Sequence, residues 1–239
     1  MLETSNSIRM KKIILKTSDH FEMTCIVAKP DQPTGKGIVV LQEAFGVNSH
    51  IQDMVRRFAN EGFVAIAPEL YHRTAPSGWT CSYSEFSIAQ NHFAEVGEAT
   101  ILADVEACLD WLRTEGVRHL ATIGFCLGGR AAYMSNSQPG LKAAISFYGG
   151  GIGTSCLHLA EKQNAPILLF WGGKDQKILS SQIQDATDAL TTAKKIYTNI
   201  EISDADHGFF CDQRPSFHPK AAQLAWKTTL EFLHQHLVD

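Results

Sequence analysis

Three positions in the second half of the chain carry the residue types of nucleophilic catalysis. Gly124-Phe125-Cys126-Leu127-Gly128-Gly129 follows the apolar run His119 to Gly124 and precedes a helix-forming run through Arg130, Ala131, Ala132, Tyr133 and Met134. A strand that turns this abruptly into a helix needs small residues two before and two after its apex, and Gly124 and Gly128 provide them around Cys126. The apex side chain then projects above the sheet, with the positive end of the new helix behind its sulfur. Phe170-Trp171-Gly172-Gly173-Lys174-Asp175 leaves a second apolar strand through paired glycines and delivers a carboxylate, and Asp204-Ala205-Asp206-His207-Gly208 follows the last strand candidate and delivers an imidazole. A thiol, a histidine base and an acid that fixes the base's tautomer are the equipment of acyl transfer through a covalent intermediate. Asp206 and Asp204 are rival orienting acids, but an immediate neighbour more often points away from its histidine, which favours Asp175.

Those groups meet only if parallel strands bring their carboxyl ends together. Gly37-Ile38-Val39-Val40-Leu41 and Phe63 to Ala67 are short β-branched runs of the kind buried on both faces. Between them Met54, Val55 and Phe58 fall at helical spacing over Ile51 to Ala59, after Asn48 and Ser49 as N-cap oxygens. Glu69 to Tyr83 reads as an irregular functional loop. Ile101, Val105, Cys108, Leu109 and Leu112 mark a helix, further strands fall at Ala143 to Tyr148, Ile167 to Trp171 and Ile196 to Ile202, and Leu179 to Ala193 and Pro219 to Leu237 read as helices. Ile13 to Lys16 and Met23 to Ala28 suggest an edge hairpin. This alternation predicts an α/β fold with chemistry at the strand ends. An oxyanion hole there takes the backbone N–H of Leu127 and, from the loop after an early strand, that of Ala44.

With 239 residues, 44% hydrophobic and 19% charged, the chain has the composition of one globular domain. That domain spans 1–239, with residues 1–11 expected as a flexible N-terminal extension. A net charge of −4, and basic runs no longer than the pairs Lys11-Lys12, Arg56-Arg57 and Lys194-Lys195, exclude a polyanion-binding face. The N-terminal segment lacks the apolar core of a signal peptide, and no stretch reaches the roughly 20 apolar residues of a membrane helix. A cytoplasmic location is therefore expected, with the six scattered cysteines reduced. No Cys-x-x-Cys pair is present, and neither a metal nor another cofactor is expected.

The elbow Gly-x-Cys-x-Gly-Gly stands with the loop Gln42-Glu43-Ala44-Phe45-Gly46-Val47-Asn48, with Pro68-Glu69-Leu70-Tyr71 after a strand, and with Gly172-Gly173-Lys174-Asp175 before the histidine. On these motifs the chain resembles the dienelactone hydrolase family from about Lys12 to the C-terminus. The resemblance implies an α/β-hydrolase fold, a mostly parallel central sheet with helices on both faces. It also implies ester or lactone hydrolysis by Cys126, His207 and Asp175. In that family the loop glutamate contacts the resting thiol and moves when substrate binds, so Glu43 joins the expected catalytic residues as a control on thiolate formation.

The chain departs from the family's lactone hydrolases at two arginines that hold the substrate carboxylate. One position is Cys211, and the stretch 79–86, where the other belongs, has no Arg or Lys; Arg73 and Arg214 are nearby cations. Losing a charge-assisted anchor weakens binding of anionic lactones. The expected substrates are therefore small neutral activated esters, gripped by Phe45, Tyr71, Trp79, Tyr83, Tyr148 and Phe210 with Cys211 beside them. The same triad has the means to attack an aryl phosphotriester without a metal. A non-catalytic or thiol-redox protein on this fold is the remaining alternative. The expected partner is a small-molecule ester, with no nucleic acid and no membrane, and a homodimer is left open.

Overall fold

The apolar run Ile38 to Leu41 has no polar face to offer water, and it is buried on both sides as strand β3 (Lys36–Leu41). β4 (Phe63–Pro68), β5 (His119–Phe125), β6 (Leu141–Phe147) and β7 (Ile167–Gly172) are buried in the same way and run parallel to it. The half-exposed β8 (Tyr197–Ile202) is the parallel edge. At the opposite edge β1 (Met10–Lys16) and β2 (Glu22–Ala28) make the expected antiparallel hairpin, and β2 continues antiparallel onto β4. The sheet order is β1-β2-β4-β3-β5-β6-β7-β8 in the computed structural model, which describes residues 8–238.

Strands without a polar face need cover on both sides. α1 (Ser49–Asn60) packs on β2, β3 and β4, and α7 (Pro219–His236) on β6 and β7; the two helices meet through Phe58 and Trp226, with ring centroids 5.1 Å apart. α3 (Glu98–Thr114) and α4 (Leu127–Ser135) pack against each other and cover the central strands from the other layer. Asn48 caps α1, its side chain accepting from the Ile51 N–H at 3.3 Å. The register sets Leu41 beside Gly124 and Gly172 beside Ile202, so the carboxyl ends of β3, β5, β7 and β8 share one rim.

Two elements differ from expectation. α2 (Phe86–Ala94) stands where no helix was expected, because only Ala89 of its residues is buried and its apolar periodicity is correspondingly weak. The chain is already paired at Met10 and Lys11, opposite Ala28 and Val27, so the expected extension 1–11 is too long; residues 1–7 lie outside the described residues. Among the described residues no helix is long and apolar enough to cross a membrane, and all six cysteines are free.

Candidate active site

The elbow is built as its glycines require. β5 ends at Phe125 and α4 begins at Leu127, leaving Cys126 between them at φ 55° and ψ −111°, a region where an L-residue is strained. Its N–H donates to the Phe147 carbonyl at 3.0 Å and its own carbonyl accepts from the Arg130 N–H at 3.2 Å, so the neighbouring strand and the first turn of α4 hold the turn shut.

Asp175 reaches its histidine because β7 ends in Gly172, where a Cβ would lie 2.7 Å from the Ala205 carbonyl oxygen; only glycine lets the histidine loop approach this closely. One oxygen of Asp175 accepts the N–H groups of Lys177 and Ile178, at 2.8 and 3.3 Å, and the other takes the Nδ1–H of His207 at 2.6 Å. The rivals are occupied elsewhere. Asp206 accepts the backbone N–H of His207, and Asp204 pairs with His218 at 3.1 Å.

Burial opposes charge on His207, but its hydrogen bonds to Asp175 and Cys126 outweigh this and push its pKa from 6.5 up to about 9. An imidazole that holds its proton more tightly when folded stabilises the fold fully below pH 6.5, and that contribution is lost as pH rises through about 9. The melting temperature is therefore expected to fall between pH 7 and pH 10 more steeply in the wild type than in Asp175→Asn, as melts across that range would show; parallel curves would refute the coupling.

Glu43 is fully buried and receives Arg214 Nη1 on Oε1 at 2.9 Å, while its Oε2 has no partner. Tyr148, itself at φ 40°, lays its ring 5.0 Å from that of His207. Among the described residues no protein acceptor takes the N–H of Ala44 or of Leu127, as an oxyanion hole requires.

Cys126 and His207 open into a cavity of about 380 Å³ lined by Phe86, Phe93, Leu127, Ile178, Arg130 and Lys177. Most of the expected grips lie elsewhere. Phe210 stacks on Phe125 in the core, Tyr71 donates to the Ala44 carbonyl at 3.0 Å, and Trp79 packs on Tyr71. Phe45 lies edge-on to Tyr83 at 4.7 Å, and Tyr83 lines a second cavity that His207 and Arg214 share. Cys211 is buried and donates to the Tyr83 hydroxyl at 3.1 Å. Of the two nearby cations, Arg73 is held by Asp19 and Asp104, away from the thiol, and Arg214 by Glu43.

Arg130 and Lys177 are the cations that the sequence reading did not place. Arg130 lies over the Phe93 ring at 5.1 Å, its Nε buried without an acceptor, and among the described residues neither cation has a carboxylate partner. Arg130 was legible in the sequence, because it stands one helical turn after Cys126, the N-cap of α4. Lys177 carried no such signal.

A parallel sheet with a strained cysteine at the β5–α4 turn, and with an acid and a histidine from later strand ends, defines an α/β-hydrolase. The chain belongs to the dienelactone hydrolase family, whose pattern it matches over residues 23–237. It is 38% identical over 231 residues to a Yersinia pestis protein named "Putative carboxymethylenebutenolidase", covering 91% of this chain and 85% of that one. An Escherichia coli K12 protein of the same name is 36% identical over 222 residues, covering 87% and 81%. The crystal structure of a "Putative Dienelactone Hydrolase" from Klebsiella pneumoniae superposes with a TM-score of 0.87 at 30% identity, covering 96% of this chain and all of that one. The metagenomic "Dienelactone Hydrolase-like Promiscuous Phospotriesterase P91" shares the fold at a TM-score of 0.82 and 20% identity, covering 98% of this chain and all of that one.

Proposed function

We infer that this hydrolase cleaves small activated esters or lactones through a thioester on Cys126. The observation that carries this reading is the strained elbow cysteine facing an imidazole whose other nitrogen is fixed by Asp175 at 2.6 Å. His207 holds the proton taken from the thiol and passes it to the leaving oxygen, and Asp175 stabilises the charged ring meanwhile. Leu127 and Ala44 N–H groups receive the developing oxyanion, and water then hydrolyses the thioester with His207 as base. The reading includes a cytoplasmic setting, consistent with six free thiols. Brief incubation with an activated aryl acetate followed by an acid quench should leave an acetyl group on the Cys126 peptide; acetyl on another residue would overturn the mechanism.

On substrate charge the cavity departs from the sequence-based expectation. That expectation of a neutral ester rested on the missing arginines, whereas Arg130 and Lys177 restore positive charge at a different wall. Between aromatic and aliphatic surfaces, an unpaired guanidinium suits a flat acyl group with a negative far end. Arg130→Ala is expected to lower kcat/KM for a carboxylate-bearing aryl ester by about 10-fold or more, with little effect on its neutral counterpart. An equal loss on both would return the neutral ester to first place. Aryl phosphotriesters are the second reading, drawn from the fold shared with P91; the same groups can attack phosphorus, with slow release of the phosphorylated thiol as the expected limit.

A further inference from the structure

Glu43, His50 and Cys211 come from three separate segments: the loop after β3, the first turn of α1, and the loop after His207. All are buried, at 0%, 3% and 0% exposed, and a Glu43 oxygen, a His50 ring nitrogen and the Cys211 sulfur lie within 4.8 Å of one another. A buried polar atom without a partner is costly and rare, yet this cluster holds two, Glu43 Oε2 and His50 Nε2. His50 otherwise meets its surroundings as a ring, edge-on to Phe125 and Phe210. The triad uses neither His50 nor Cys211.

His50 also has a route to solvent. It lies in the wall of a cleft of about 260 Å³ on the α1–α7 side, together with Asp53 and Asp212. Arg57 shares that wall but lies over the Trp226 ring at 4.0 Å. Asp53 in that wall is paired with Arg56, which leaves Asp212 as the carboxylate at the mouth nearest an entering cation.

We propose that Glu43, His50 and Cys211 bind a zinc ion. A carboxylate, an imidazole and a thiolate form a mixed oxygen, nitrogen and sulfur set that suits Zn²⁺ and is wrong for Mg²⁺ or Ca²⁺. Zinc–ligand bonds of about 2.0–2.3 Å put ligand atoms roughly 3.3–3.7 Å apart in a tetrahedron, so the widest gap must close by up to about 1 Å. Rotation of Cys211 off the Tyr83 hydroxyl supplies that movement while Glu43 keeps Arg214 on its other oxygen, and water takes the fourth position. On binding, the Cys211 S–H bond breaks and an S–Zn bond forms; the proton goes to solvent and no electron is transferred. The carboxylate and thiolate together cancel the charge of the ion, so Arg214 can stay on Glu43.

The test uses chelator-treated protein titrated with Zn²⁺ alone, and separately with Co²⁺, whose thiolate complexes absorb in the near ultraviolet. One ion per chain is expected, with the thiolate band kept in Cys126→Ala and lost in Cys211→Ser, and with Zn²⁺ affinity falling by about 10-fold or more in His50→Ala. Thermal melts confirm that each variant is folded. A band lost in Cys126→Ala but kept in Cys211→Ser would place the ion on the catalytic pair and overturn the proposal. Folded wild type that binds no zinc would overturn it too. Zinc bound through Cys211 in a protein that hydrolyses no ester would support the site and defeat the proposed function instead.

Discussion

Cys126→Ala is expected to lower kcat/KM for an activated aryl ester by about 10⁵-fold, because removing the nucleophile of a triad leaves only substrate binding and the oxyanion hole to act. His207 and Asp175 stay in place but have no proton to take from sulfur. The loss should be one of chemistry and not of folding. Alanine at φ 55° carries the same backbone strain as cysteine, and Cys126 is only half-buried, so the melting temperature should hardly change. Steady-state kinetics beside a thermal melt decide the matter. Hydrolysis persisting within about 10-fold of wild type would mean that His207 activates water directly, and the covalent route would fall.

Gly128→Ala is expected to do the reverse, damaging the fold first and activity as a consequence. A Cβ on Gly128 would sit 2.1 Å from the Leu41 carbonyl oxygen, 2.5 Å from the carbonyl carbon and 2.7 Å from the Gln42 carbonyl oxygen. These are backbone atoms at the end of β3, where Leu41 lies beside Gly124, and no side-chain rotation relieves the clash. Either the elbow opens or β3 and its loop move away, taking Glu43 and Ala44 with them. Forced overpacking of this kind costs about 3 kcal/mol or more. At roughly 2–4 °C per kcal/mol for a domain of this size, the melting temperature should fall by about 6–12 °C. Gly150→Ala is the control, since nothing lies within 4 Å of a Cβ there. If both variants melt with the wild type, the close approach of elbow and β3 does not limit stability.

The turn that carries Cys126 and the cavity it opens into are legible to different degrees for a physical reason. Gly124, Cys126 and Gly128 constrain a turn through contacts within five consecutive residues, and buried strands declare themselves by lacking a polar face. The elbow, the sheet and the placing of Cys126, Asp175 and His207 at strand ends were therefore set by local sterics and hydrophobic patterning. Asp175 was already preferred to Asp206 in the sequence, and the close approach of β7 and the histidine loop, with Asp206 bound to the His207 N–H, gives the physical reason. The cavity is further still from local rules. Phe86 and Phe93 come from a helix with one buried residue, Arg130 from the nucleophile's own helix, and Lys177 and Ile178 from the turn after Asp175. Phe210 carries the same aromatic chemistry, yet its partners Phe125 and Phe147 bury it in the core. By itself the sequence determined the backbone turns and the groups able to react, because those depend on near neighbours. Only the tertiary structure decided which aromatics face the thiol, which cations line its cavity, and that Glu43, His50 and Cys211 meet, because each depends on segments far apart in the chain packing together.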